Sequence, residues 1–256
     1  LNGKIMDKTS YERLLVEFAK KREYQKLLTL AEEVVEAYPD WHIAWHYLAT
    51  AYGLQGNHEK AISYFIKALE IKPNSEKVLY GLSVSFHALK MHSEAIACLL
   101  KHQELRGNEF KIVFALGVNY MEINEIEKAI ESFSSARKIR PENEEAIFCL
   151  ADCYRILEKY DKAIELYLEA LKINPQNVMV THNTAVCYKQ LNDNDNAVSY
   201  YQKALKIDPS FFHSLRNLAD IYLELNKKEE AKGLIERALK IKPDSAELIA
   251  LSEKMQ

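Results

Sequence analysis

The sequence predicts an all-α protein in which one helical hairpin is repeated along the chain. Every proline falls on one phase of a 34-residue period, and an alanine recurs with the same period from Ala61 to Ala231. The 256 residues include only seven glycines and six prolines, which favours helix over a loop-rich β fold. A fixed period of this size is typical of a stacked-repeat architecture. The prolines are Pro39, Pro73, Pro141, Pro175, Pro209 and Pro243.

The proline phase divides the chain into seven repeats. With proline at position 32, position 7 is Leu except in the sixth repeat, position 11 is aromatic and position 20 is Ala after the first. Residues 1–7 form an N-terminal extension, and we expect residues 246–256 to form a capping helix, with Leu248, Ile249 and Leu251 on one side. The repeats span residues 8–41, 42–75, 76–109, 110–143, 144–177, 178–211 and 212–245.

Each column of the repeat has a physical interpretation. Positions 4, 7, 8 and 11 have helical spacing and form one apolar stripe, and positions 20, 24 and 27 form a second stripe on a second helix. Small residues at positions 8 and 20 allow the two helices to approach closely. Proline at position 32 lacks a backbone N–H and ends the second helix. Because one hairpin cannot bury both stripes, neighbouring hairpins must stack.

These columns resemble the tetratricopeptide repeat family. The resemblance covers residues 8 to 243 and implies a right-handed superhelical α-solenoid of stacked antiparallel helix pairs. It also implies a protein–protein interaction scaffold or adaptor that binds a peptide or helix of a partner against the first helices, which line the concave groove. The second repeat matches the family pattern throughout, at Trp45, Leu48, Ala49, Tyr52, Ala61, Phe65, Ala68 and Pro73.

Three repeats depart from the pattern. The first has large residues at positions where small ones are expected, as suits an atypical end. The third has His102 at position 27 and Gly107 at position 32, which indicates either a flexible joint or a locally varied turn. The sixth has Thr181 and Thr184 at positions 4 and 7, which predicts a thinner interface.

Composition narrows the class of partner. The net charge of -3 and the pI near 6.3 give no reason to expect nucleic acid. No stretch approaches the ~20 apolar residues of a spanning helix, so we expect no membrane insertion. Four cysteines in so long a chain do not form a disulfide framework, and a cytoplasmic location is expected. Because the sequence opens with Leu1, an upstream segment could have been removed.

A search for chemistry predicts no enzyme, no cofactor and no metal. The sequence has no phosphate-binding loop, no dinucleotide fingerprint, no zinc-protease motif and no nucleophile elbow. Cys149 and Cys153 are spaced four residues apart, but small packing residues at these columns explain them better than a metal site. A nucleophilic pairing of a cysteine with His182 lacks any orienting motif.

Positions 5, 6, 9 and 12 of each repeat are the candidate binding residues, because core packing does not dictate them. Aromatic and apolar side chains dominate in repeats two to five, which suits hydrophobic anchors of a peptide or an amphipathic helix. The apolar candidates are His46, Tyr47, Tyr80, Val84, Phe114, Val118, Met121 and Phe148. The polar candidates of repeats five to seven are Asp152, Arg155, His182, Asn183, Lys189, Arg216, Asn217 and Asp220.

Two alternatives to a free scaffold remain open. Asn183 and Asn217 occupy the position at which glycosyltransferases that add N-acetylglucosamine carry an asparagine ladder, so the chain could be the substrate-recruiting arm of a larger enzyme. The chain could instead be a structural or self-assembling protein within a multiprotein complex. The pattern of chaperone-tail adaptors is not met, because only the central Asn183 matches. The partner and the cellular process are not specified by these residues.

Overall fold

The computed structural model describes residues 6 to 253, and this part of the chain is all-helical, as predicted. It divides into two compact units, one ending at Ile139 and the other beginning at Arg140. In the first unit the helices are α1 (Lys8–Lys21), α2 (Tyr24–Ala37), α3 (His42–Leu54), α4 (His58–Ile71), α5 (Glu76–Ala88), α6 (His92–Arg106), α7 (Phe110–Glu122) and α8 (Ile126–Ile139).

The second unit contains three further helix pairs and a last helix. From α3 onward, the two helices of each pair pack more closely on each other than on the helices of neighbouring pairs, so the architecture is a series of hairpins. Its helices are α9 (Glu144–Ile156), α10 (Tyr160–Ile173), α11 (Val178–Gln190), α12 (Asn194–Ile207), α13 (Phe212–Glu224), α14 (Lys228–Ile241) and α15 (Ala246–Glu253). No described helix combines the length and apolar character needed to span a bilayer.

The turn inside every hairpin has the same left-handed geometry. Position 15 has a positive φ in all seven repeats, but only Gly56 is a glycine there. The residue after it donates its backbone N–H to the carbonyl of the aromatic residue at position 11, as Lys159 does to Tyr154 at 2.9 Å. This bond closes the end of the first helix. The other residues at position 15, all with positive φ, are Arg22, Lys90, Asn124, Glu158, Asn192 and Asn226.

Gly107 replaces proline with an ordered turn. Helix α6 runs one residue further than α4, to Arg106, and Gly107 caps it with φ at 77°, a backbone conformation that suits glycine. The Gly107 N–H donates to the carbonyl of Gln103 at 2.7 Å. The boundary between the two compact units lies at residues 139 and 140, away from this turn.

Position 24 of one repeat and position 6 of the next fill a shared space within each unit. A large ring at position 24 faces a small residue, as Phe65 faces Gly81. Leu99 packs near Ala115 in one cluster, and where position 24 is only Ala31, the ring of Tyr47 joins the same core cluster instead. In the C-terminal unit the pairs become polar: Tyr167 with Asn183, and Tyr201 with Asn217.

Helix α15 lies against the last hairpin. Leu248 is fully buried and Leu251 nearly so, both in the cluster that contains Leu218 and Ile235. Ile249 was expected on the same side, but this is wrong, because 44% of its surface is exposed. On a helix, Ile249 points about 100° away from Leu248 and so cannot share its contact. Residues 254–256 of the expected capping segment lie outside the described part of the chain.

Candidate functional site

An apolar cleft of about 280 Å³ lies on the first-helix surface of the N-terminal unit. Its floor is the ring of Phe65, which presses so closely on Gly81 that a Cβ there would stand 2.5 Å from the ring. Val84 forms an exposed wall, with 47% of its surface free. The cleft exists because Gly81 has no side chain to cover the ring of Phe65, which is itself buried in the core.

The cleft continues into a charged groove of about 540 Å³. His46, Lys77 and Tyr80 line both, so the two form one surface. The Lys111 ammonium lies 4.9 Å from the Tyr80 ring centroid and 3.5 Å from Glu109. This arrangement can bind a ligand with an apolar anchor beside a charged group.

His46 is a neutral, poorly solvated wall of both cavities. Its Nδ1 is buried and has no hydrogen-bond partner among the described residues, and the same is true of His58 and His102. Burial lowers the pKa of His46 to about 4, assisted by the positive charge of Lys77. At neutral pH the ring is therefore uncharged and packs as an aromatic, 5.8 Å from Phe65.

The remaining apolar candidates are half-buried and share in core packing. Phe114 stacks on Phe110 at 5.7 Å between centroids and meets the buried Phe133 edge-on at 5.5 Å. Val118 and Met121 lie on the same helix with intermediate exposure. In the C-terminal unit, Phe148 lies 6.0 Å from Tyr167. These half-buried rings therefore contribute to core packing as well as to the exposed surface.

The polar candidates of the C-terminal unit are bonded mainly to one another. Asp152 accepts hydrogen bonds from Arg155 at 2.8 Å, Tyr167 at 2.5 Å and Asn183 at 3.2 Å. Burial and the neighbouring Asp152 carboxylate raise the pKa of Tyr167 far above its usual range, so its hydroxyl stays protonated and donates.

The same holds in the last repeats. Lys189 pairs with Asp220 at 2.5 Å, and Asn217 accepts from its neighbour Arg216 and donates to Tyr201 at 3.1 Å. The side-chain amides of the expected asparagine ladder are thus engaged in bonds between repeats.

The structure corrects the placement of two candidates. Tyr47 is only 8% exposed, because its ring fills the space left by the small Ala31. His182 is 7% exposed, and its Nδ1 lies 2.9 Å from the hydroxyl of buried Ser214. Burial lowers the pKa of His182 to about 4. Neither ring offers the accessible face that the sequence suggested.

Burial raises the pKa of all four cysteine thiols, as expected for residues that serve in packing. Burial raises the pKa of Cys98 to about 11 and the pKa of Cys149, Cys153 and Cys187 to about 12. A thiol with such a raised pKa is almost entirely protonated at neutral pH and is a poor nucleophile. Within residues 6–253, no group of three His, Cys, Asp or Glu side chains is arranged to hold a metal ion.

The sequence pattern did not predict the floor of the cleft, formed by Phe65 and Gly81, or Lys77 in its lining. Phe65 lies at position 24, where its large side chain matches the family pattern, Gly81 lies at position 6, and Lys77 lies at position 2. The available signal was the pairing of a large residue at position 24 with a glycine 16 residues later. His58 and Leu54, at the helix ends, also line the cleft.

Comparison with known families agrees with the hairpin architecture. Models described as tetratricopeptide repeat match residues 42–75, 143–210 and 188–255, which together make up more than half of the chain. The chain belongs to the tetratricopeptide repeat family. The matched segments include the second repeat, from which the resemblance was drawn, and the whole of the last three. No curated protein matches the sequence.

Several solved structures share the fold of this tetratricopeptide repeat protein. The C-terminal part of a TPR repeat-containing protein from Cytophaga hutchinsonii has a TM-score of 0.78 at 14% identity, with 94% of this chain and 98% of that chain covered. YrrB, described as a TPR protein with an unusual peptide-binding site, has a TM-score of 0.67 at 19% identity, with coverage of 73% and 96%. MamA has a TM-score of 0.63 at 24% identity, with coverage of 66% and 92%.

Proposed function

We propose that this protein is a non-catalytic interaction scaffold that binds a peptide or helix of a partner protein, and that the cleft over Phe65 and Gly81 is the principal anchor site. The supporting observation is an accessible apolar cavity, about 280 Å³, on the first-helix surface. This volume accommodates one large apolar side chain. The adjoining charged groove can hold the residues next to that anchor.

The nature of the walls supports a peptide rather than a reacting substrate. The cleft is lined by Phe65, Tyr80, Val84 and the uncharged ring of His46, with Lys77 at the rim. Aromatic and aliphatic anchor pockets with a polar rim are the usual centres of peptide binding. The protein YrrB, which shares the fold, has a peptide-binding site by its description.

The first-helix surfaces of the two units differ in how many of their polar side chains are already hydrogen-bonded to one another. In the C-terminal unit, Asp152, Arg155, Asn183, Lys189 and Asp220 already satisfy one another. A ligand there would have to replace existing hydrogen bonds and would gain little net free energy. The open apolar cavity of the N-terminal unit has no such competitor, which favours it as the anchor site.

The test uses a matched pair of surface substitutions. Val84→Lys places a charge on the cleft wall, whereas Ile66→Lys places one at 44% exposure on the second helix α4, and Val84 itself is 47% exposed. Peptides are selected from a random displayed library on the wild-type chain, and their affinity for each variant is measured by fluorescence polarisation. We expect Val84→Lys to weaken binding at least about tenfold, as loss of a hot-spot contact does.

Ile66→Lys is expected to leave the affinity within about twofold, because that side chain does not line the cleft. Thermal melting of both variants should match the wild type, since surface substitutions have small effects. Equal affinities of the two variants for every selected peptide would overturn the proposed site.

A further inference from the structure

A second cavity lies in the C-terminal unit, between the second helices α10 and α12 rather than on a first-helix surface. Its volume is about 520 Å³, and Thr181 lines it at position 4 of the sixth repeat. Every other repeat has a larger, apolar or aromatic residue at this position: Tyr11, Trp45, Leu79, Val113, Ile147 and Leu215. The cavity therefore coincides with the smallest side chain in that column.

The second repeat shows what a full occupant of this position contacts. The indole N–H of Trp45 donates to the carbonyl of Pro39 at 2.7 Å. Its ring stacks on Tyr64, with centroids 5.8 Å apart and planes 29° apart. The ammonium of Lys67 lies 4.7 Å from the Trp45 centroid. The indole is thus held by one carbonyl, one aromatic ring and one cation.

The equivalent three residues line the cavity together with Thr181. Pro175, Tyr200 and Lys203 occupy the repeat positions of Pro39, Tyr64 and Lys67, and all three line the cavity. The Lys203 ammonium already lies 4.0 Å from the Tyr200 centroid. The binding groups for an indole are therefore present, but the chain supplies only a threonine.

The charges around the two positions differ in sign. Around Trp45 the equivalent residues include Glu36 and Glu70, whereas the cavity has Lys172 and Lys206 at those positions. Among the described residues that line the cavity, three are lysines and none is acidic. Such a rim attracts a segment that carries negative charge beside its apolar anchor.

We propose that this cavity binds a tryptophan side chain of a partner peptide in which acidic residues flank the tryptophan. The indole takes the place that Trp45 occupies in its own repeat: it stacks on Tyr200, lies under Lys203 and donates to the carbonyl of Pro175. The flanking carboxylates approach Lys172 and Lys206. This site is separate from the cleft over Gly81 and does not depend on it.

The probe is the blocked pentapeptide Glu-Asp-Trp-Asp-Glu, titrated into the whole chain by isothermal calorimetry. We expect saturable 1:1 binding that weakens with added salt, since the lysine rim is solvent-exposed. Replacing the tryptophan of the peptide by alanine should reduce the affinity at least tenfold, because stacking and cation–π contacts are both lost. Absence of binding at millimolar peptide overturns the proposal.

A matched pair of lysine variants locates the site. Lys203→Ala should weaken binding roughly three- to tenfold, as expected for one cation–π contact. Lys67→Ala removes the equivalent lysine where Trp45 already fills the position, so it should leave the affinity unchanged. Equal effects of the two variants, or none from either, contradict the assignment.

Thr181→Trp provides an independent test, because it fills the cavity from within. We expect this variant to melt at or above the wild-type temperature and to lose peptide binding. A folded Thr181→Trp protein that binds the peptide as well as the wild type does overturns the proposal. If the variant does not fold, the Lys203→Ala and Lys67→Ala comparison alone decides.

Discussion

Substitution of Gly81 by alanine tests the size rule that creates the cleft. The added Cβ would stand 2.5 Å from Cζ and 2.7 Å from Cε1 of Phe65, closer than non-bonded carbons approach. Phe65 is buried against Ala61 and Leu82 in one cluster, so its ring cannot move away without disturbing the core. The substitution should therefore destabilise the N-terminal unit and reduce the cleft.

The magnitude follows from comparison with Gly233→Ala. Both changes replace a helical glycine and gain about 1 kcal/mol of helix propensity, but a Cβ at Gly233 meets nothing within 4 Å. Overpacking at Gly81 costs about 1–3 kcal/mol. The difference between the two variants isolates this cost and corresponds to roughly 2–12 °C in Tm.

The assay is thermal and urea unfolding followed by circular dichroism. Gly233→Ala is expected to raise Tm above that of the wild type. The Tm of Gly81→Ala should lie below the Tm of Gly233→Ala by the difference given above. The double variant Phe65→Leu, Gly81→Ala recreates the Leu99 and Ala115 pair found elsewhere in the chain, so it should lose less stability than the two single changes added together. Equal Tm shifts for the two glycines, together with strict additivity in the cycle, would refute the size rule.

Three further predictions concern groups with unusual environments. Burial lowers the pKa of His46 and His182 to about 4 in the folded chain, so their contribution to the free energy of unfolding is fully present above pH 6.5 and is lost as pH falls from 6.5 towards 4, by up to about 1.4 kcal/mol per pH unit each. When both are replaced by Gln, Tm should fall less between pH 7.5 and pH 5. An unchanged fall in Tm would contradict this. Cys149, with a pKa near 12, should react with iodoacetamide at pH 7.5 more slowly than Cys98, by mass spectrometry, and equal rates would argue against burial as the cause. Lys90→Gly should raise Tm by a few degrees, because it relieves about 1 kcal/mol of left-handed strain at φ 60°, and a lower Tm would show that this backbone is unstrained.

The hairpin architecture could be predicted from the sequence because a single 34-residue period encodes it. Pro at position 32, Ala at position 20 and the aromatic at position 11 each act within a single hairpin, and their spacing directly predicts helix ends and faces. The first helices begin at Lys8 and at every 34th residue after it, the last being Phe212. Local chemistry of this kind needs no knowledge of neighbours.

The site was less accessible because it depends on pairs of residues in different repeats. Tyr47 was expected on an open surface, yet its burial is decided by Ala31, 16 residues earlier. His182 is buried against the rings of Tyr201 and Phe211, and its Nδ1 lies 2.9 Å from the hydroxyl of Ser214 in the next repeat. A single repeat position considered alone does not distinguish such cases. Position 24 considered together with the following position 6 predicts the burial of Tyr47, but not that of His182, which lies at position 5.

The left-handed turns show a different limit on what residue type alone predicts about backbone conformation. Six non-glycine residues take positive φ because the bond from position 16 to position 11 closes the helix at each turn. The repeated hydrogen bond outweighs the local preference of Lys90 or Glu158 for a right-handed backbone. The glycine or asparagine at this position in four repeats favours the conformation, whereas Arg22, Lys90 and Glu158 give no indication of it in the sequence.

A structure of the chain with a selected peptide bound tests the central claim most directly. The account predicts that one apolar side chain of the peptide sits on Phe65 above Gly81, against Tyr80 and Val84, with its neighbours along the groove near Lys77 and Lys111. A peptide that contacts only the second helices of the N-terminal unit, with this cleft unfilled, would contradict it.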